Sequence, residues 1–374
     1  LPTFEWSIDV HARPPFAAFS DSLRYRVSSA TANMAIVAAK RTDPTAHDRG
    51  IRRGKSLGLT VLLSGAAVVP FIVGDFQLFK LTNVLIYTIA LLGLNILVGY
   101  NGQISLGHGA FYAIGAYAAA ILIVYLSVPH WAAAPAAGLV CLIVGLLFGV
   151  PALRLDGMCL AMLTFTFGAV LPTVAKYKGV EQWTGGSQGM GLDKPAVPFG
   201  LPLSFDQWLY LFTLFMLVGL FAVAANLSRG NVGRAIVAVR DHPIAAQAMG
   251  INTAMYKAAT FGVSAMYTGI AGALAALSIK YVAPGLFGIF VSFGFLVGIA
   301  VGGIASLSGA IYGALFLQVL LLAVGVTAHS LHTPHVYAVY GVALILFLYF
   351  IPGGIAGLVH MSATRMRRRT HDAT

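Results

Sequence analysis

Charge is what this sequence has least of. Asp, Glu, Lys and Arg make up 9% of its 374 residues, against about 25% in a soluble domain. Hydrophobic residues make up 58%, and the mean hydropathy is +0.84. Such a chain does not mainly face water. Cysteine is scarcer still: Cys141 and Cys159 both fall in or beside apolar runs, which predicts buried small hydrophobes and no disulfide framework. No nucleophile–base pair suggests catalysis. "GIRRGKS" (Gly50–Ser56) has three residues between its first Gly and the Gly-Lys pair, one too few for a phosphate-binding loop, and no strand precedes it. ATP hydrolysis is therefore not expected of this chain. "HSLHTPH" holds His329, His332 and His335, but with no Cys or carboxylate beside them and Pro334 between them they make a poor metal site.

What the chain has instead is long apolar runs. Ten of them suit membrane-spanning helices, over 57–74, 80–100, 109–128, 131–150, 158–175, 207–226, 258–279, 289–306, 309–328 and 336–352. The expected fold class is all-α, a polytopic membrane protein with about ten transmembrane helices, one or more of them discontinuous. Of the 23 Lys and Arg residues, only Lys80, Lys176, Lys178, Lys194 and Lys280 fall outside if both termini are cytoplasmic. The other 18 then lie inside, which is the positive-inside pattern and agrees with an even span count. The net charge of +11 thus orients the chain in a bilayer and does not point to nucleic acid.

The expected organisation has three parts: a disordered cytoplasmic tail over 1–56, a transmembrane domain over 57–360, and a basic cytoplasmic tail over 361–374. Residues 1–33 show no helical period and precede Met34, which reads as the biological start. Nothing there has the form of a signal peptide. None of the ten runs carries Asp, Glu, Lys or Arg in its central part. Proton- and voltage-coupled machines usually hold such groups, so an energy source in another subunit is expected. A sodium-coupled carrier could use backbone carbonyls instead.

Two stretches interrupt the apolar pattern. "GYNGQISLGHGAFYAIGAY" (Gly99–Tyr117) is rich in glycine and polar residues and lacks any formal charge. Uncharged, it can dip into the membrane where protein or water satisfies its backbone, and a broken helix can aim amides at an anionic substrate group. Ala113, Ala116 and Ala120, with Gly109 and Gly115, continue it as a small-residue packing face. The pathway candidates are Asn101, Gln103, Ser105, Gly107, His108, Gly109 and Tyr112. A tight interhelical turn is the simpler alternative for each polar residue taken singly. A short echo, "SLSGAIYGALFL" (Ser306–Leu317), is compatible with a duplicated unit.

The second stretch, 226–257, is too polar to cross the membrane. Asp241 as cap, Pro243 in the first turn and Gly250 as stop predict a short helix over 242–249. Ile244, Ala248 and Ile251 share one face, with Ala245 and Ala246 beside it. That face lacks the large residues that anchor an interfacial helix, which favours docking into a partner's groove. The outside segment 176–206 has a core, "TGGSQGMG", that is flexible by composition. It could meet a binding protein, cover a pore mouth or act as a spacer.

"GRAIVAVRDHPIAAQAMGI" (Gly233–Ile251) resembles the cytoplasmic coupling segment of ABC-importer permeases. "GQISLGHGAFYAIGAY" (Gly102–Tyr117), "WTGGSQGMGL" (Trp183–Leu192) and "GGIASLSGAIYGALFL" (Gly302–Leu317) resemble the M-type (LivM-like) permease subunits of branched-chain amino acid importers. The resemblance covers about 57–360. It implies half of a translocation pathway in a bacterial inner membrane, paired with an H-type permease, ABC ATPase subunits and an external solute-binding protein. It implies no cofactor. Arg240, Asp241, Ile244, Ala245, Ala248 and Gly250 would then lie in the segment that meets the ATPase. Where relatives often carry acidic residues, this chain has Pro243 and Gln247. Importers of urea or short amides share the Ser-Leu-Gly-His-Gly pattern and remain an alternative, as does a stand-alone carrier or channel.

Overall fold

The computed structural model describes residues 64–152, 157–192, 202–331, 341 and 354–357. The tails expected over 1–56 and 361–374, the span expected over 336–352 apart from residue 341, and His332 and His335 lie outside the described residues. The chain divides into two units, Leu1–Val68 and Val69–Thr374. Of the first, residues 64–68 are described, as a turn of helix.

The second unit is built from helices: α1 (Asp75–Asn95), α2 (His108–Val124), α3 (His130–Ala152), α4 (Met158–Val174), α5 (Phe205–Arg229), α6 (Asn231–Asp241), α7 (Pro243–Ala248), α8 (Thr253–Ile279), α9 (Ile289–Gly302) and α10 (Leu307–Leu331). Five stretches are long and apolar enough to cross a bilayer: Asp75–Tyr100, His130–Pro151, Phe205–Arg229, Thr253–Ile279 and Pro284–Gly302. His108–Val124, Met158–Val174 and Leu307–Leu322 are shorter apolar helices. The chain is thus a polytopic helical membrane protein, with eight apolar helices among the described residues where the sequence suggested ten.

Local chemistry sets the boundaries. Ser204 and Gln207 form a reciprocal capping box at the start of α5, with bonds of 3.2 and 3.0 Å, satisfying two amides that have no partner within the helix. Asn252 caps α8 by accepting from the Met255 N–H at 3.1 Å. The first long helix begins at Asp75, ahead of the expected 80, with Gly74 extended before it, and Lys80 sits within it, its Nζ 4.1 Å from the Phe76 ring centre. A charge held at a helix end by an aromatic face is compatible with a span.

α8 is the centre of the bundle. It packs against α1, α2 and α3 and buries 83% of its most apolar window. Glycines make this possible. A Cβ on Gly272 would stand 1.9 Å from the Tyr112 carbonyl oxygen, and one on Gly115 would stand 2.1 Å from that of Gly269. Backbone meets backbone there, the packing that dispersion favours when lipid removes the hydrophobic drive between helices. Ala113, Ala116 and Ala120 are buried in the same contact region, as expected. On α3, Gly138 and Gly145 face α8, while Leu139, Ile143, Leu147 and Val150 form an exposed apolar stripe.

Two expectations need correction. Cys141 is buried, but Cys159 is exposed, because the second residue of α4 faces away from the bundle. The "TGGSQGMG" core, expected to be flexible, is held in place. Met190 and Gly191 pair antiparallel with Val282 and Tyr281, and the Leu192 N–H donates to the Lys280 carbonyl at 2.9 Å. Glycine supplies positive φ at Gly185, Gly186 and Gly189, so its freedom is used for turning.

Gly272→Val is expected to abolish monodisperse protein in detergent, because the side chain has no space beside Tyr112. Gly219, with nothing near its Cβ position, is the control, and Gly219→Val is expected to behave as wild type. Size-exclusion chromatography of the two membrane extracts checks this.

Candidate functional site: two helix interruptions and an exposed helix pair

α1 does not end at Asn95 but widens into a π turn, Ile96–Tyr100, a feature frequent at functional sites. Irregular chain follows until α2 starts at His108. The seven pathway candidates, Asn101, Gln103, Ser105, Gly107, His108, Gly109 and Tyr112, are all buried. Side chains and carbonyls from other elements satisfy the irregular backbone. The Leu106 N–H donates to Thr164 Oγ1 of α4 at 3.1 Å, and the Gly109 N–H to Ser292 Oγ of α9 at 2.9 Å. The Gln103 N–H donates to the Leu97 carbonyl at 3.2 Å.

His108 ties this junction to α8. Ser264 Oγ donates its one proton to the Gly93 carbonyl at 2.7 Å. It therefore accepts from His108 Nε2, 2.7 Å away. The other ring nitrogen, Nδ1, then accepts from Ser105 Oγ at 2.8 Å. The relay Ser105–His108–Ser264–Gly93 thus spans three elements, and Phe111 and Phe261 pack edge-on against its imidazole. Gly107 must be glycine because a Cβ would lie 2.1 Å from the Thr164 carbonyl oxygen. Tyr112 packs on Phe295 and Phe287, with ring centres 5.3 and 6.0 Å away. Asn101 and Gln103 stand apart, since none of their side-chain N and O atoms has a hydrogen-bond partner among the described residues.

A second interruption lies between α9 and α10, where Gly303 and Ala305 take φ of +121° and +61°. Asn95, fully buried, clasps it. Its Nδ2 donates to the Ser306 carbonyl at 2.7 Å, and its Oδ1 accepts from the Ala305 N–H at 2.8 Å. Gly99, one turn further along, abuts Ala305. Both interruptions therefore meet at the end of α1. Sequence reading singled out neither Asn95 nor Thr164, Ser264 and Ser292. Asn95 left a signal as an amide deep within an apolar run. The hydroxyls left none, since Ser and Thr are common in membrane helices.

The short helix expected over 242–249 is α7, Pro243–Ala248. Gly250, at φ +81°, ends it with Ile251 N–H bonded to the Ala246 carbonyl and Gly250 N–H to that of Gln247, a Schellman stop. Its cap is not Asp241 but His242, which makes no side-chain cap bond. Asp241 ends α6 and pairs with Arg240 at 2.8 Å. α6 itself was not foreseen, although Gly233, Ala235, Ile236 and Val239, its buried residues, recur at helical spacing. Arg240, Asp241, Ile244, Ala245, Ala248 and Gly250 are all exposed, and Ala246 is the residue of α7 that turns inward. Ile244 and Met249 are 84% and 83% exposed, an unusual state for apolar side chains beyond the spanning helices.

Interrupted helices around a glycine-packed core, with an exposed apolar helix beyond them, define a transport-type membrane protein. The chain belongs to the family described as the branched-chain amino acid transport system permease component, which it matches over residues 77–348. It is similar to the high-affinity branched-chain amino acid transport system permease protein LivM of Salmonella typhimurium, at 35% identity over 71% of this chain and 67% of that protein. The Escherichia coli protein of the same name is 34% identical over the same shares. The Pseudomonas aeruginosa permease protein BraD is 28% identical over 72% of this chain and 91% of its own length. No solved structure matches.

His108→Ala is expected to lower the thermal stability of the purified protein, because the buried Ser105 hydroxyl loses its acceptor while Ser264 keeps its bond to the Gly93 carbonyl, at about 1–3 kcal/mol for the group left unsatisfied. A melting curve in detergent measures it, and an unchanged midpoint would remove the relay from the account. Gly107→Leu is expected to insert into the membrane but block uptake. Normal uptake would take the interruption out of the mechanism.

Proposed function

We propose that this chain is a permease subunit of an ATP-driven importer of branched-chain amino acids, forming half of the translocation pathway. Membership of the permease family over 77–348 carries the reading. That stretch takes in both interruptions and α6–α7. Three further features support it: no Asp, Glu, Lys or Arg in the central part of the expected spans, buried interruptions bonded by protein, and an apolar helix left exposed beyond the bundle.

In this reading the chain spans a bacterial inner membrane ten times with both termini cytoplasmic. It pairs with an H-type permease, and an external solute-binding protein delivers the substrate at the end carrying Tyr281 and the Gly185–Gly191 loop. On the cytoplasmic side α7 seats in a groove of an ABC ATPase subunit through Ile244, Ala245 and Ala248, with Gly250 ending the helix. ATP hydrolysis belongs to that partner. The pathway runs beside Asn101, Gln103, Ser105, Gly107, His108, Gly109 and Tyr112. Asn101 and Gln103 are the groups that offer unused donors and acceptors, suited to a zwitterion's carboxylate and ammonium as it passes.

Cells lacking the gene are expected to lose uptake of labelled leucine and to regain it when the gene is restored, with excess urea failing to compete. Competition by urea would move the assignment to an amide importer. Ile244→Asp is expected to lose co-purification with the ATPase, because a carboxylate would have to be desolvated in an apolar groove. Retention of the ATPase would refute the docking role of α7.

A further inference from the structure

α7 is not mechanically isolated. It follows α6 through His242, whose N–H bonds back to the Ala238 carbonyl while its own carbonyl accepts from the Ala246 N–H, both at 3.0 Å. α6 in turn lies against the π turn that ends α1. Between them is a cavity of about 10 Å³ lined by Ile96, Tyr100, Leu227, Gly233 and Ile236, among others, so apolar packing there is incomplete.

Arg240 bridges the same two elements by polar contact. Although its side chain is 33% exposed, its head turns toward the bundle. Nη1 donates to the Gly99 carbonyl at 2.6 Å, and Nε donates to Asp241 Oδ1 at 2.8 Å, which fixes the plane of the guanidinium. The aliphatic stem rests on Gly102, where a Cβ would come within 2.7 Å of Arg240 Cγ. The turn that Arg240 grips is the one with unfinished hydrogen bonding. Asn101 and Gln103 are 3% and 6% exposed, and their four side-chain polar atoms have no partner among the described residues. A buried turn with unsatisfied amides competes closely with any arrangement that satisfies them.

We propose that Arg240 is a positioning residue that carries movement of the α6–α7 pair to the Gly99–Gly107 interruption, so that the ATPase partner sets the state of the pathway through one guanidinium–carbonyl contact. The proposal rests on α7 being the docking helix. It gives Arg240 an inward task distinct from contact with the ATPase. When α6 shifts, the Gly99 carbonyl and Gly102 follow, and the amides of Asn101 and Gln103 exchange one set of surroundings for another.

The test uses the complete importer in proteoliposomes, comparing wild type with Arg240→Met and Arg240→Lys. Met keeps a stem on Gly102 and removes the donors; Lys keeps one donor for the Gly99 carbonyl. The readouts are ATPase co-purification, leucine uptake, and the ratio of ATP hydrolysed with and without substrate-loaded binding protein. Arg240→Met is expected to retain the ATPase yet lose uptake and the stimulated ratio by about tenfold, inside the span of typical coupling energies. Arg240→Lys is expected to recover part of both. Uptake and stimulation at the wild-type level in Arg240→Met overturn the proposal, and so does loss of the ATPase, which would make Arg240 a docking residue. If Arg240→Met does not accumulate in the membrane, Arg240→Lys decides, and a ratio equal to wild type overturns the proposal. Ile244→Asp separates the two claims: an ATPase that still co-purifies with it refutes the docking reading, whatever Arg240 does.

Discussion

Irregular backbone inside a bilayer has to find its hydrogen bonds in protein, and the rest of this structure depends on that constraint. An unsatisfied amide in hydrocarbon costs several kcal/mol, whereas a glycine in a helix costs about 1 kcal/mol relative to alanine. The first cost decides the arrangement. The chain places glycines where helices must close in, and spends Thr164, Ser292 and Asn95 on the carbonyls and amides that two interruptions expose. Asn95 is the most economical of these, satisfying an N–H and a C=O of the second interruption with one amide side chain.

The relay through His108 needs the glycine face of α8. Ser264 reaches the Gly93 carbonyl and the imidazole together because α8 lies against α1 and α2 at backbone distance. Gly93 belongs to this contact as well, since a Cβ there would stand 2.6 Å from that of Tyr267. Widening the α1–α8 or α2–α8 separation by one methyl group would pull the relay apart. Packing and polar satisfaction are therefore one device here. The same logic explains why the interruption sits beside the most deeply buried of the five long helices: an exposed neighbour would leave its carbonyls to lipid.

Much of this was legible in the sequence, because hydropathy and glycine placement are local signals. The spans over 131–150, 158–175, 207–226 and 258–279 lie within a few residues of α3, α4, α5 and α8, and Gly250 stops α7 as its position suggests. The buried state of Ser105 and His108 follows from the uncharged stretch around them. Their partners did not follow, because Ser264 is 156 residues from His108 and nothing local distinguishes it from any other serine in a membrane helix. α6 was missed because its polar face reads as loop, while Asp241 looked like a cap until its carboxylate proved to be occupied by Arg240. Long-range pairing is what a single sequence hides.

In the proposed function the chain is the passive half of a powered machine. Its own residues would hold a pathway in one of two arrangements, and the energy to switch would arrive at α7 from outside. Reconstitution tests this most directly, measuring leucine uptake into proteoliposomes that contain the chain alone or the full set of permease, ATPase and binding-protein subunits, with and without ATP. The account predicts uptake only with the full set and ATP. Leucine transport by the purified chain alone would contradict it.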